Sequence, residues 1–133
     1  LARMYAYLYQ NTDVNYTILY SLDGYDEISL TGEAKMISKN SEALINPKTF
    51  HFTALHQEEI KGGTTTQESA KMFLDIISGN GTKAQNQVVL ANAGLAIATF
   101  ENCSILDGFE KAKESLYTGK ALEKLNKLQQ LSR

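Results

Sequence analysis

Apolar and polar positions change rhythm once along this chain, and the change marks where a sheet gives way to helices. Leu1, Met4, Tyr5 and Leu8 fall at helical spacing and predict an amphipathic helix over residues 1–10. Residues 11–15 are polar and turn-like. Residues 16–21, YTILYS, are rich in β-branched and aromatic side chains and predict a buried strand, with Asp23-Gly24 as the turn that follows. A short extended segment is expected over 27–30. Residues 35–38 and 42–46 flank Lys39-Asn40-Ser41 as the arms of a hairpin, ended by Pro47 because proline cannot donate to a ladder. One more short strand is expected over 50–54.

From Thr65 onward the period is helical. Thr65 followed by Glu68 is a capping-box pattern, in which each side chain bonds a free backbone donor at a helix start. Ala70, Phe73, Leu74 and Ile77 form the apolar stripe, and Ser78-Gly79-Asn80-Gly81 stops the helix. Residues 85–100 are apolar on nearly every face, which predicts the buried helix of the set. Ser104 with Asp107 opens another helix, lined by Leu106, Phe109, Ala112 and Leu116. After Gly119 a last helix turns Ala121, Leu122, Leu125 and Leu128 inward. Strands first and helices after predict an α/β chain, a partial sheet packed by C-terminal helices. Only 16–21 reads like the central strand of a doubly wound sheet, and the neighbours such a strand needs are not apparent.

Length and composition bound the rest. At 133 residues the chain suits one domain, and 43% hydrophobic with 21% charged residues suits a packed core. A net charge of -2 argues against a nucleic-acid or anionic-membrane surface, since both want a basic patch. No apolar run is long enough to span a bilayer. Cys103 is the single cysteine and has no zinc-type spacing around it, which fits a reducing cytoplasm. The chain opens on Leu1, already inside a helical pattern with no cap upstream, and so reads as a piece cut from a longer protein.

The candidate chemistry lies at residues 24–32, GYDEISLTG. Asp26 and Glu27 are adjacent acids just past a predicted strand and turn, and carboxylates so placed can hold a hard divalent cation through oxygen. Spacing alone favours a solvated acidic turn. Position favours the metal, because ligands of open α/β sheets bind outside the carboxyl ends of strands. Gly62-Gly63-Thr64 matches no phosphate-loop fingerprint and reads as a flexible connection into a capped helix. His51 and His56 lack accompanying ligands and read as loop or surface residues. Ser21, Ser29 and Thr31 have no histidine near them in sequence, which argues against a nucleophilic serine. Cys103 reads as a small apolar packing residue. Asn86 and Asn92 fall on the apolar helix, where a buried amide must find partners, so one of them is expected to fix a loop backbone or an interdomain contact. The tyrosines at 5, 7, 9, 16, 20 and 25 read as packing residues, since a base-stacking platform would need basic neighbours.

Four stretches in order resemble the C-terminal part of the anthranilate phosphoribosyltransferase family: SLDGYDEISLTG at 21–32, GGTTTQESAKMFLDIISGNGT at 62–82, VVLANAGLAIA at 88–98 and LDGFEKAKESLYTGKALEKLNKL at 106–128. The resemblance runs through nearly the whole chain. It implies transfer of phosphoribose from phosphoribosyl pyrophosphate to the anthranilate amine in tryptophan biosynthesis, with Mg2+ assisting departure of pyrophosphate. Asp26 and Glu27 match the family's magnesium-binding acidic pair. The family's glycine-rich pyrophosphate stretch, its lysine-histidine-glycine loop and its anthranilate-contacting arginine have no counterpart here; Arg3 does not match that arginine's motif. The resemblance therefore implies that residues 1–133 are the C-terminal part of the α/β domain, without the N-terminal helical domain or the first strands. No catalytic residue would lie in this segment, and the substrate contacts would lie upstream. The full-length enzyme would be a homodimer, whereas this piece alone would be inactive and could self-associate. A related transferase with another aromatic acceptor, or a non-catalytic binding domain on the same fold, remains an alternative.

Overall fold

A computed structural model of the chain describes residues 1–132. In order it forms helix α1 (Ala2–Tyr9), strands β1 (Thr17–Ser21), β2 (Ala34–Ser38) and β3 (Glu42–Ile45), and 3-10 turns at Pro47–Phe50 and Gln57–Ile60. Helices α2 (Thr66–Ile77), α3 (Lys83–Glu101), α4 (Ile105–Tyr117) and α5 (Lys120–Leu131) follow. The predicted hairpin is present: β2 pairs antiparallel with β3, Met36 facing Ala43. Strand β1 pairs antiparallel with β2, Leu19 facing Met36.

Three expectations about the sheet need correction. The strand at 16–21 has a neighbour here after all: β1 lies beside β2 in the β1-β2-β3 order and pairs with it antiparallel, not parallel as in a doubly wound sheet. No strand forms at 50–54. Pro47 instead starts a 3-10 turn that ends at His51 in the left-handed region (φ 61), since proline fits the first position of a helical turn. Residues 27–30 leave ladder geometry too, with Leu30 at φ 61 and wholly buried.

The core forms where α3 crosses between the sheet and α4. Leu90, Ala91 and Leu95 of α3 meet Ile28, Leu30, Met36 and Ile45 from the sheet side and Phe109, Ala112 and Leu116 from α4. Phe50, Phe52 and Phe109 add an aromatic cluster, with Phe50 and Phe109 ring centroids 5.5 Å apart. Helices α3 and α4 come into backbone contact at a pair of glycines: a Cβ on Gly108 would lie 2.2 Å from the Gly94 carbonyl oxygen. Helix α3 is the buried helix, as its near-uniform apolarity predicts.

The caps expected at Thr65 and Ser104 form, the first with a shift, and Thr82 adds one the sequence reading did not place. Thr65 Oγ1 accepts from the Glu68 N–H, but the Glu68 carboxylate reaches back to the Thr64 N–H and hydroxyl instead of the Thr65 N–H. Thr82 and Gln85 form a full reciprocal box at the start of α3. The inward faces expected for α2 and α5 are only partly covered: Ile77, Ala121, Leu122 and Leu125 are half-buried, whereas Phe73, Leu74 and Leu128 are exposed. No single helix among the described residues is long and apolar enough to cross a membrane.

Candidate functional site

Asp26 and Glu27 sit on the loop that leaves β1 and returns to β2, and their backbone is held from three directions. Gly24 supplies the left-handed turn (φ 98) that brings the loop back on itself. Ser21, the last residue of β1 and 5% exposed, then holds both sides of the acidic pair: its N–H donates to the Tyr25 carbonyl at 2.9 Å and its hydroxyl donates to the Glu27 carbonyl. Helix α3 provides the third direction. The Ile28 N–H donates to Asn92 Oδ1 at 2.9 Å, and Asn92 Nδ2 donates to the Ile28 carbonyl at 2.9 Å, so one side-chain amide pairs with a residue's backbone much as a neighbouring strand would. A further bond from Nδ2 to the Val88 carbonyl, also 2.9 Å, ties that amide to its own helix.

The far end of the loop has its own polar centre. The Asp23 carboxylate accepts from the hydroxyls of Thr31 and Ser29, the Ser29 hydroxyl accepts from the Thr31 N–H at 3.2 Å, and the two hydroxyl oxygens lie 2.8 Å apart. Ile28 and Leu30 turn into the core between these polar anchors. The local pattern is therefore alternate: apolar side chains at 28 and 30 pin the loop down, and hydroxyls at 29 and 31 satisfy its polar groups.

Against this held backbone, both carboxylates are exposed and neither forms a hydrogen bond or ion pair with the other described residues. The acids that do pair are elsewhere: Glu42 with Lys35, Asp75 with Lys71, Glu101 with Lys111, Glu110 with Lys113 and Glu114 with Lys120. Asp26 borders a cleft of about 640 Å³ between α1 and β1, shared with Leu1, Arg3, Tyr5, Ile18 and Tyr20. No set of three or more His, Cys, Asp or Glu side chains among the described residues is arranged to hold a metal. Two free carboxylates alone nevertheless fit a magnesium, which keeps several waters and takes one or two carboxylates together with substrate phosphates.

The remaining candidates separate from this site. His51 and His56 are exposed on the two 3-10 turns, where the His56 N–H caps against the Glu59 carboxylate at 2.8 Å. Gly63 is not a spacer: a Cβ there would lie 2.7 Å from the Ser69 nitrogen, so the glycine permits close approach to the first turn of α2. Asn86 donates to the Gly79 and Gly81 carbonyls and holds the α2–α3 connection. Cys103 is half-buried beside the start of α4 and borders a separate cavity with Tyr16, Met36 and Leu95. Both asparagines thus fix loop backbones, and Asn92 is the one at the acidic pair. Asp23 escaped sequence reasoning because it reads as an ordinary turn acid; the Ser-x-Thr spacing that follows it was the available signal.

Comparison with known proteins places these features in a wider setting. Residues 1–122 match the family described as glycosyl transferase family, a/b domain. The chain is 64% identical over 132 residues to the anthranilate phosphoribosyltransferase of Flavobacterium psychrophilum and 62% identical over the same length to that of Flavobacterium johnsoniae. Each match takes in 99% of this chain and 40% of the relative, so the chain spans well under half the length of the curated relatives it matches. Among solved structures, the anthranilate phosphoribosyltransferase of Thermus thermophilus superposes with a TM-score of 0.76 at 22% identity, over 84% of this chain and 33% of that one. The Saccharomyces cerevisiae enzyme in complex with PRPP and Mg superposes at 0.73 and 20% identity, over 83% and 32%. At those identities the likeness concerns the fold, and it agrees with a sheet packed by helices.

Proposed function

The chain belongs to the glycosyl transferase family through that family's a/b domain, and from this premise we propose that it is the magnesium-carrying part of an anthranilate phosphoribosyltransferase. The observation that carries the reading is the loop just described: two unpaired, exposed carboxylates on a backbone held by Ser21 and Asn92. Surface acids that serve only solubility need no such support. Further support comes from relatives that bear this name at 60% identity and above, and from a yeast enzyme of the same fold in complex with PRPP and Mg.

Asp26 and Glu27 would hold the ion through carboxylate oxygens. A magnesium bound there supplies positive charge against the charge that develops on departing pyrophosphate. The chain's own contribution is to present the two anions without competing partners and to keep their backbone fixed. Anthranilate and the bulk of PRPP would be contacted by the part of the longer protein outside this chain, so residues 1–133 alone would not turn over.

The test is made in the full-length protein. Asp26→Asn with Glu27→Gln is expected to raise the Mg2+ concentration for half-maximal transfer at least about tenfold, in keeping with loss of carboxylate ligands, while circular dichroism stays native because both side chains are exposed. An unchanged Mg2+ requirement in the folded double variant overturns the metal role.

A further inference from the structure

The Glu27–Ile28 peptide is held at both of its polar ends by side chains, one six residues away and one 64. Its carbonyl accepts from the Ser21 hydroxyl and its N–H donates to Asn92 Oδ1. Ser21 also holds the peptide on the other side of the pair, through its N–H to the Tyr25 carbonyl. Asn92 is tied in turn to α3 through Val88, and α3 is the buried helix of the fold. The backbone that carries two exposed anions is thereby tied to the helix with the most buried residues.

We propose that Ser21 and Asn92 are positioning residues for the acidic pair: they set the direction in which Asp26 and Glu27 present their carboxylates, and α3 is the reference against which that direction is set. This rests on the metal role proposed above. A loop free to move at the Glu27–Ile28 peptide would offer the same two charges to an ion only part of the time; groups bonded to the ligands themselves are worth roughly 10–100-fold in metal affinity, and these backbone anchors, one step further out, belong at the low end of that range. Ser21 makes one side-chain bond to the loop and Asn92 makes two, so the two residues differ in weight.

Asn86 supplies an internal control. It is on the same helix, is 6% exposed and holds a loop through two carbonyls, but that loop is the α2–α3 connection. Its loss should lower stability without touching the acidic pair. The experiment uses the full-length protein and the variants Asn92→Ala, Ser21→Ala, the two combined, Asn86→Ala and the Asp26→Asn, Glu27→Gln double. Mn2+ binding is followed by electron paramagnetic resonance in the presence of inorganic pyrophosphate. Exchange of the Ile28 amide is followed without metal. Asn92→Ala is expected to weaken Mn2+ binding about tenfold and to speed exchange of the Ile28 amide. Ser21→Ala should weaken binding less, and the two losses together should fall short of their sum because both residues hold one peptide. Asn86→Ala should lower the melting temperature and leave Mn2+ binding native.

Native Mn2+ binding in folded Asn92→Ala, beside weakened binding in the acidic double variant, overturns the positioning role alone. Equal weakening in Asn86→Ala and Asn92→Ala overturns it as well, since the effect would then be general loss of stability. Native binding in the acidic double variant overturns the metal role and the positioning role together. Should Asn92→Ala not fold, Ser21→Ala decides: native binding there, with native exchange at Ile28, counts against the proposal.

Discussion

Helix α3 carries five alanines and two leucines and α5 one alanine and four leucines, yet α3 contributes seven buried residues and α5 none. The same contrast separates two regions of the molecule. In the first, α3, α4 and the loop after β1 bury apolar side chains and satisfy loop polar groups at the same contacts: Leu30 and Ile28 enter the core while Asn92 takes the backbone between them and the acids. In the second, α1, α2 and α5 leave their stripes partly uncovered: Leu8, Phe73, Leu74 and Leu128 are exposed, and Ile77, Leu122 and Leu125 are only half-buried. An amphipathic stripe states which face of a helix would gain from burial; whether anything covers it depends on what packs there. A loop, by contrast, is held only when particular partners arrive, so its order reports tertiary structure directly.

The largest effect should come from Leu30, which is wholly buried in the first region. Leu30→Ala is expected to cost about 2–5 kcal/mol in urea denaturation, from lost burial plus the cavity left behind. A cost under about 1 kcal/mol would mean that the loop is not part of the core.

Next comes the contact between α3 and α4. Gly108→Ala places a methyl group 2.2 Å from a backbone oxygen of Gly94, which the helices can relieve only by moving apart. The expected loss is about 1–3 kcal/mol, and an unchanged denaturation midpoint would show that the two backbones do not touch.

A smaller loss belongs to the start of α2. Thr65→Ala should cost about 1 kcal/mol by removing the acceptor for the Glu68 N–H. This cap should also depend on pH. The Thr64 hydroxyl and N–H hold the Glu68 carboxyl below its ordinary value of 4.5. A carboxylate with a depressed folded value contributes stability that is complete above 4.5 and is lost as pH falls through the folded value. Glu68→Gln should therefore narrow the gap between melting temperatures measured at neutral pH and near pH 3. An unchanged gap would assign the acid sensitivity to other carboxylates, with Glu42 and Glu114 next in line because Lys35 and Lys120 hold them low.

The smallest change should be at Leu128, which is 64% exposed on α5. Leu128→Ala should shift stability by no more than about 0.5 kcal/mol. A larger loss would move α5 from the second region into the first.

The candidate site was partly legible in the residues. Asp26 and Glu27 stand out as adjacent acids beyond a strand and turn, and Asn92 stands out as an amide on an apolar helix. What joins them was not legible, because 64 residues separate Asn92 from Ile28 and no local spacing encodes such a bond. The strand at 16–21 forms as β1, whereas the one expected at 50–54 does not: its aromatic residues advertise extended backbone and burial, but Pro47 and the left-handed His51 redirect the stretch.

By itself the sequence determined the elements with local causes: helix starts where Thr65, Thr82 and Ser104 accept from the backbone three residues on, helix ends where Gly79 and Gly119 take left-handed geometry, and a hairpin between 35 and 46. Those outcomes follow from torsions and hydrogen bonds within a few residues. Tertiary structure alone decided which apolar faces were covered, how the strands were ordered, and that one amide on α3 would hold the backbone beside two unpaired acids. Each of those depends on contacts between segments far apart in the chain, and such contacts form only when the whole fold brings their partners together.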